Sequence, residues 1–143
     1  VKRQSHSVAE TEAIAAELAR SFHGGEVVAL HGDLGAGKTQ FVRGLVRGLG
    51  GEPRSVSSPT FVLLNVYDTG RLTVYHLDAY RTSGEEDFEG IGFTELLDQG
   101  AVVAIEWPQR VPGLLPSQTW HVTLTPLDEF RRDIEITPPA PCG

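Results

Sequence analysis

The sequence predicts an α/β fold: a P-loop NTPase-like mixed sheet with an inserted antiparallel hairpin and helices on both faces. Three observations carry this expectation. Residues 27–30 (VVAL) and 101–105 (AVVAI) are short, wholly apolar runs, the composition of strands buried on both faces. Apolar residues at helical spacing flank the first run, with Ile14, Leu18 and Phe22 before it and Phe41, Val42, Leu45, Val46 and Leu49 after it. Two strand-like segments joined by Asp68-Thr69-Gly70-Arg71 form a hairpin between the two runs.

Each element has a local reason. Ser7 followed by Glu10 has the spacing of a capping box, so the first helix starts there, and Gly24-Gly25 ends it. The strand at 27–30 runs into a glycine-rich loop, and the following helix stops at Gly50-Gly51. Residues 61–67 and 72–77 are the hairpin strands. Residues 82–99 are acidic and interrupted by glycine, with short helices at 85–89 and 94–97. The strand at 101–105 closes on Glu106-Trp107-Pro108, and 120–124 with 133–136 form a C-terminal hairpin. Residues 1–137 are expected to be one domain, with 138–143 a disordered tail.

Composition narrows the function. Of 143 residues, 40% are apolar and 22% charged, as in a globular domain with a real core. The net charge of −7, from 12 basic and 19 acidic residues, gives no basic footprint for holding nucleic acid directly. No apolar run approaches the roughly 20 residues of a membrane span, and no signal-peptide core is present, so a cytoplasmic location without a membrane is expected. Cys142 is the single cysteine and cannot form an internal disulfide. His31 and His76 lie in or beside strands and read as packed side chains.

Residues 32–39 read GDLGAGKT and match G-x-x-x-x-G-K-[ST] at every fixed position. The buried strand before it and the amphipathic helix after it are the context that motif requires. Gly32, Gly35 and Gly37 let the backbone curl so that N–H groups from Gly32, Asp33, Leu34, Gly35, Ala36, Gly37, Lys38 and Thr39 turn toward phosphate oxygens. The helix beginning near Lys38 adds its unpaired N–H groups. Lys38 reaches the β- and γ-phosphates, and the Thr39 hydroxyl is a magnesium ligand.

Hydrolysis needs a second carboxylate. Glu106 closes one apolar strand in the form of a Walker B acid, and Asp78 closes another. Strand C-terminal ends gather at the ligand crevice of such sheets, so both qualify for magnesium, and the pattern does not choose between them. Thr60, in Ser58-Pro59-Thr60-Phe61, sits where a switch threonine would report the γ-phosphate. Arg81 is either a phosphate or carboxylate holder or a solvated loop residue, and Trp107 either stacks on a nucleotide or partner or caps the core.

Taken in order, GDLGAGKT at 32–39, SPTF at 58–61, HLDAYR at 76–81 and EWPQR at 106–110 resemble the TsaE (YjeE) family, bacterial ATPases of tRNA threonylcarbamoyladenosine synthesis. The resemblance spans nearly the whole chain. It implies ATP and Mg2+ as cofactors, weak partner-dependent hydrolysis, and an ATP cycle that resets a complex of TsaD, the transferase, and TsaB. Contact with tRNA is implied only indirectly, through that complex. The resemblance assigns Thr39 and Glu106 to magnesium, Asp78 to magnesium or the attacking water, and Thr60 to the switch-like loop; Asp78, Glu106, Lys38 and Thr60 form the implied catalytic set. It also implies that the start of the first helix, at Ser7-Val8, and the C-terminal hairpin, through Arg131, flank the nucleotide. Gln40, Val62, Ala79 and Thr82 depart from common family residues, which touches packing and partner surface rather than a ligand.

Two rival P-loop readings fit the phosphate loop itself. A small-molecule kinase needs arginines on a lid, and no arginine lies between Arg81 and Arg110. A GTPase-type switch finds a D-x-x-G in Asp87-Phe88-Glu89-Gly90, but no apolar strand leads into it and the guanine-reading N-K-x-D is absent.

Overall fold

The two apolar runs become neighbouring parallel strands inside a seven-stranded sheet. The structure, a computed structural model, describes residues 1–33, 35–57, 64–80 and 85–139. Within these, the elements in chain order are β1 (Lys2–Ser5), α1 (Val8–Ala19), β2 (Val27–His31), α2 (Lys38–Gly48), β3 (Leu64–Asp68), β4 (Thr73–Asp78), α3 (Glu85–Gly90), α4 (Phe93–Leu97), β5 (Val102–Glu106), β6 (Thr119–Pro126) and β7 (Arg132–Thr137). The sheet order is β1-β7-β6-β2-β5-β4-β3. Strands β6, β2, β5 and β4 pair in parallel, while β3 joins β4, and β7 joins β6 and β1, antiparallel.

Period-two alternation divides the central strands between two cores. Val28, Leu30, Val102 and Ala104 face a cluster with Ile14 of α1 and Phe41, Leu45 and Leu49 on or just after α2. Val27, Val103 and Ile105 face the opposite side, where Leu77, Phe88, Phe93 and Val111 pack. Helices therefore cover both faces of a mixed sheet that contains the β3–β4 hairpin, as the sequence predicts.

The N-terminal region differs from expectation. Strand β1 has no apolar pattern to announce it; its first three residues are exposed, and it is held by backbone pairing to β7. Ser7 does cap α1, accepting from the Glu10 N–H at 3.1 Å. The return half of the capping box is shifted, because the Glu10 carboxylate accepts from the His6 N–H at 2.7 Å. Helix α1 ends at Ala19, well before the glycines, and Phe22 is buried beyond it in a tightened turn whose Ser21 and Phe22 N–H groups bond to Leu18 and Ala19.

The buried face of α1 is Thr11, Ile14, Ala15, Ala16 and Ala19, with Leu18 only half-buried. Alanines line it because α2 comes very close. A Cβ added at Gly44 would lie 2.3 Å from the Glu12 carbonyl and 2.5 Å from the Ala15 Cβ. Gly44→Ala is therefore expected to lower stability. Overpacking against backbone costs about 1–3 kcal/mol, against a gain of roughly 1 kcal/mol in helix propensity. A thermal melt checks this, and a raised midpoint would contradict the close helix contact.

Candidate functional site

The glycine-rich loop leaves β2 and enters α2, and its backbone needs glycine. Gly32 (φ 153°) and Gly37 (φ 103°) both adopt positive φ. A Cβ on Gly32 would also meet the Leu124 carbonyl at 2.8 Å, so the loop is pressed against β6. Gly37 caps α2 without a side-chain hydrogen bond, leaving the first N–H groups of α2 for a ligand. Leu34 lies outside the described residues, as do Thr60 with its SPTF segment and Arg81.

Parallel pairing brings the two strand-end acids to this loop. Leu30 of β2 is level with Glu106 of β5, and Glu106 is level with Asp78 of β4. Thr39 Oγ1 donates to Glu106 Oε2 at 3.3 Å. Asp78 accepts from the Tyr80 N–H at 2.8 Å. Burial raises the Asp78 pKa above the usual carboxylate value; the Tyr80 N–H opposes the shift and the Glu106 charge adds to it. Lys38, Thr39, Asp78 and Glu106 thus form one cluster.

Lys38 is buried. Its ammonium donates to the Gly32 carbonyl at 2.7 Å and lies 3.6 Å from the centroid of the Trp107 ring. Burial lowers its pKa, against the pull of Glu106, Asp78 and Asp33 in the other direction. Trp107 is the only non-glycine residue at positive φ (59°) among those described, and its ring lies 4.8 Å from that of Tyr80. A bulky residue in this region stores backbone strain. The indole packs against the core cluster of Leu77, Phe88 and Ile105, as the core-capping reading expects, and it also lies over the Lys38 ammonium.

The remaining expected residues are divided. Val8 opens α1 and is exposed. Arg131 is not brought to the loop: it is exposed and pairs with Asp128 at 2.7 Å. Its neighbour Arg132 is there instead, donating from Nε to the Ala36 carbonyl at 2.8 Å and from Nη2 to the Gly35 carbonyl at 3.4 Å. The Arg131 backbone N–H, its side chain and the Phe130 N–H hold Asp128 at about 2, from an ordinary 3.8. A depressed carboxylate stabilises the folded form above its unfolded pKa and loses that contribution as pH falls. The hairpin tip is thus expected to loosen between about pH 3.8 and 2. Carboxyl NMR titration checks this, and an Asp128 midpoint near 3.8 would contradict it.

Two histidines have more specific settings than packing alone. His31 Nε2 lies 2.9 Å from His121 Nδ1 with the rings stacked, and burial, then His121 and Lys38, lowers its pKa. His76 is buried and its Nε2 lies 2.5 Å from Glu106 Oε2. The signals missed in the sequence were the pairing of β4 with β5, which sets His76 beside Glu106, and the register of β7, which turns Arg132 toward the loop.

A strand, a glycine loop and a helix, with acids at the ends of adjacent parallel strands, define a P-loop NTPase-like α/β protein. Residues 5–134 match the family described as threonylcarbamoyl adenosine biosynthesis protein TsaE, and the chain belongs to this family. It is 43% identical over 132 residues to the tRNA threonylcarbamoyladenosine biosynthesis protein TsaE of Treponema pallidum, covering 92% of this chain and 96% of that one. Against the protein of the same name from Bacillus subtilis it is 38% identical over 128 residues, covering 90% and 79%. The crystal structure of Bacillus subtilis YdiB superposes with a TM-score of 0.79 at 29% identity, over 98% of this chain and 86% of that one. Among the described residues, no helix is long and apolar enough to cross a membrane.

Proposed function

We propose that this chain binds ATP with Mg2+ and hydrolyses it slowly, as the nucleotide-driven component of the threonylcarbamoyladenosine machinery. In this reading its ATP cycle resets a TsaD–TsaB complex in the cytoplasm, and tRNA is met only through that complex. The observation that carries the site chemistry is the Thr39 Oγ1–Glu106 Oε2 contact of 3.3 Å, which joins the P-loop hydroxyl to a strand-end carboxylate. These are hard oxygen donors, and Mg2+ is commonly held by one or two carboxylates together with substrate phosphates.

The N–H groups of the loop and of the first turn of α2 hold the phosphates. Lys38, already aimed across the loop at the Gly32 carbonyl, exchanges that neutral acceptor for a charged phosphate oxygen. Thr39 and Glu106 hold Mg2+, which when bound offsets charge on the β- and γ-phosphates. Asp78, one strand over and level with Glu106, is the second carboxylate, facing magnesium or the attacking water.

Neither rival gains support. Asp87-Phe88-Glu89-Gly90 lies within α3 with Phe88 in the core, unlike a loop that swings with a guanine nucleotide. The test is phosphate release from ATP and from GTP, with the chain alone and with TsaD and TsaB added. Slow ATP turnover that rises with the partners is expected. A preference for GTP, or transfer of phosphate to a small molecule, would overturn the reading.

A further inference from the structure

His76 lies inside the β3–β4 side of the sheet with no exposed surface, yet it is not surrounded by apolar groups alone. Its Nε2 is 2.5 Å from Glu106 Oε2, and its Nδ1 is 3.1 Å from the Tyr67 hydroxyl. That hydroxyl lies 3.3 Å from the Ser57 N–H and 3.3 Å from the Asn65 amide nitrogen. The Asn65 amide also donates to the Ser57 carbonyl at 3.1 Å.

Chemistry fixes the direction of the bond at the Glu106 end. A carboxylate only accepts, so His76 Nε2–H donates to Glu106. The Tyr67 oxygen accepts from the Ser57 and Asn65 N–H groups, and its one hydroxyl proton is within reach of both His76 Nδ1 and the Ser57 carbonyl, each at 3.1 Å. The result is a continuous line of hydrogen-bonded groups from the Ser57 backbone through β3 and β4 to Glu106. Glu106 Oε2 is shared with Thr39, so the line ends on the P-loop helix. Burying a histidine and a tyrosine hydroxyl is costly unless both are bonded, and leucine or phenylalanine would fill the same core more simply. What the polar line provides is a fixed orientation for a glutamate that otherwise has several rotamers.

We propose that His76 is a positioning residue, held in place by Tyr67, that fixes the Glu106 carboxylate against Thr39 for magnesium-dependent nucleotide binding. The inference rests on the proposed role of Glu106. Groups hydrogen-bonded behind a metal ligand typically change metal affinity or activity by about 10–100-fold when removed.

The experiment compares ATP affinity of the full chain in Mg2+ and in EDTA, using calorimetry, for folded variants verified by circular dichroism. His76→Leu is expected to reduce the magnesium-dependent gain by about 10–100-fold and to leave affinity in EDTA unchanged. His76→Gln, whose amide nitrogen can still donate to Glu106, is expected to recover most of the gain. Tyr67→Phe, which removes one oxygen and keeps the ring, is expected to shift it the same way by a smaller factor. In a Glu106→Gln background, His76→Leu is expected to have no further effect, because coupled residues are non-additive.

A magnesium gain unaltered by His76→Leu, or an equal loss with and without Glu106, would overturn the proposal. If His76→Leu does not fold, Tyr67→Phe decides: a reduced gain supports the proposal and an unchanged one overturns it. If Glu106→Gln alone leaves the magnesium gain intact, the role of Glu106 fails first and this inference fails with it. Loss on Glu106→Gln with none on His76→Leu or Tyr67→Phe refutes the positioning role alone.

Discussion

Lys38→Ala is expected to abolish useful ATP binding while leaving a folded protein. The ammonium is buried between the Gly32 carbonyl and the face of Trp107, so it meets a phosphate with little competing water. Removing one member of a buried, hydrogen-bonded charge pair costs about 2–5 kcal/mol, equivalent to roughly 30-fold to several-thousand-fold in Kd. The fold is expected to tolerate the change, since the side chain bonds to a single neutral carbonyl of its own loop. Calorimetric titration with ATP measures the loss. Wild-type affinity would remove the glycine loop as the phosphate site.

Glu106→Gln is expected to separate binding from turnover. The substitution keeps the shape and an oxygen to face His76 or Thr39, and it removes the negative charge beside the loop. ATP binding in EDTA should persist, and with Lys38 freed from a nearby anion it should be no weaker than in the parent protein. Turnover with TsaD and TsaB should fall by about 10²–10³-fold, the range for losing one preorganised electrostatic contact in a reaction site. Single-turnover phosphate release checks it, and unchanged release would transfer the principal magnesium role to Asp78.

Different parts of this account were legible in the sequence to different degrees, for physical reasons. Strands β2 and β5 could be read because burial on both faces demands an unbroken apolar run. The phosphate loop could be read because its chemistry is local: glycine, lysine and threonine must stand at fixed covalent spacing. Strand β1 could not, since the exposed Lys2, Arg3 and Gln4 owe their strand to backbone pairing with β7. The buried face of α1 could be read only at Ile14, because the close contact is made by alanines against Gly44 and Gly48, which leave no periodic pattern of large apolar residues.

The site shows the same division. Thr39, Asp78 and Glu106 could each be proposed from strand-end or motif position, but their grouping depends on sheet register. Arg131 and Arg132 differ by one position, but Arg131 stays in the hairpin turn with Asp128 while Arg132 opens β7 opposite Pro126. No local pattern chooses between them; pairing of β7 with β6 does. His76 was correctly read as buried, but its partner Glu106 is on another strand and its partner Tyr67 across a hairpin.

The central claim is that nucleotide at this loop governs work done within a TsaD–TsaB assembly. Capture of purified TsaD and TsaB by the tagged chain, with and without ATP and Mg2+, tests it most directly. The account predicts capture that depends on ATP and disappears with Lys38→Ala. Capture of equal strength without nucleotide, or none under either condition, would contradict it.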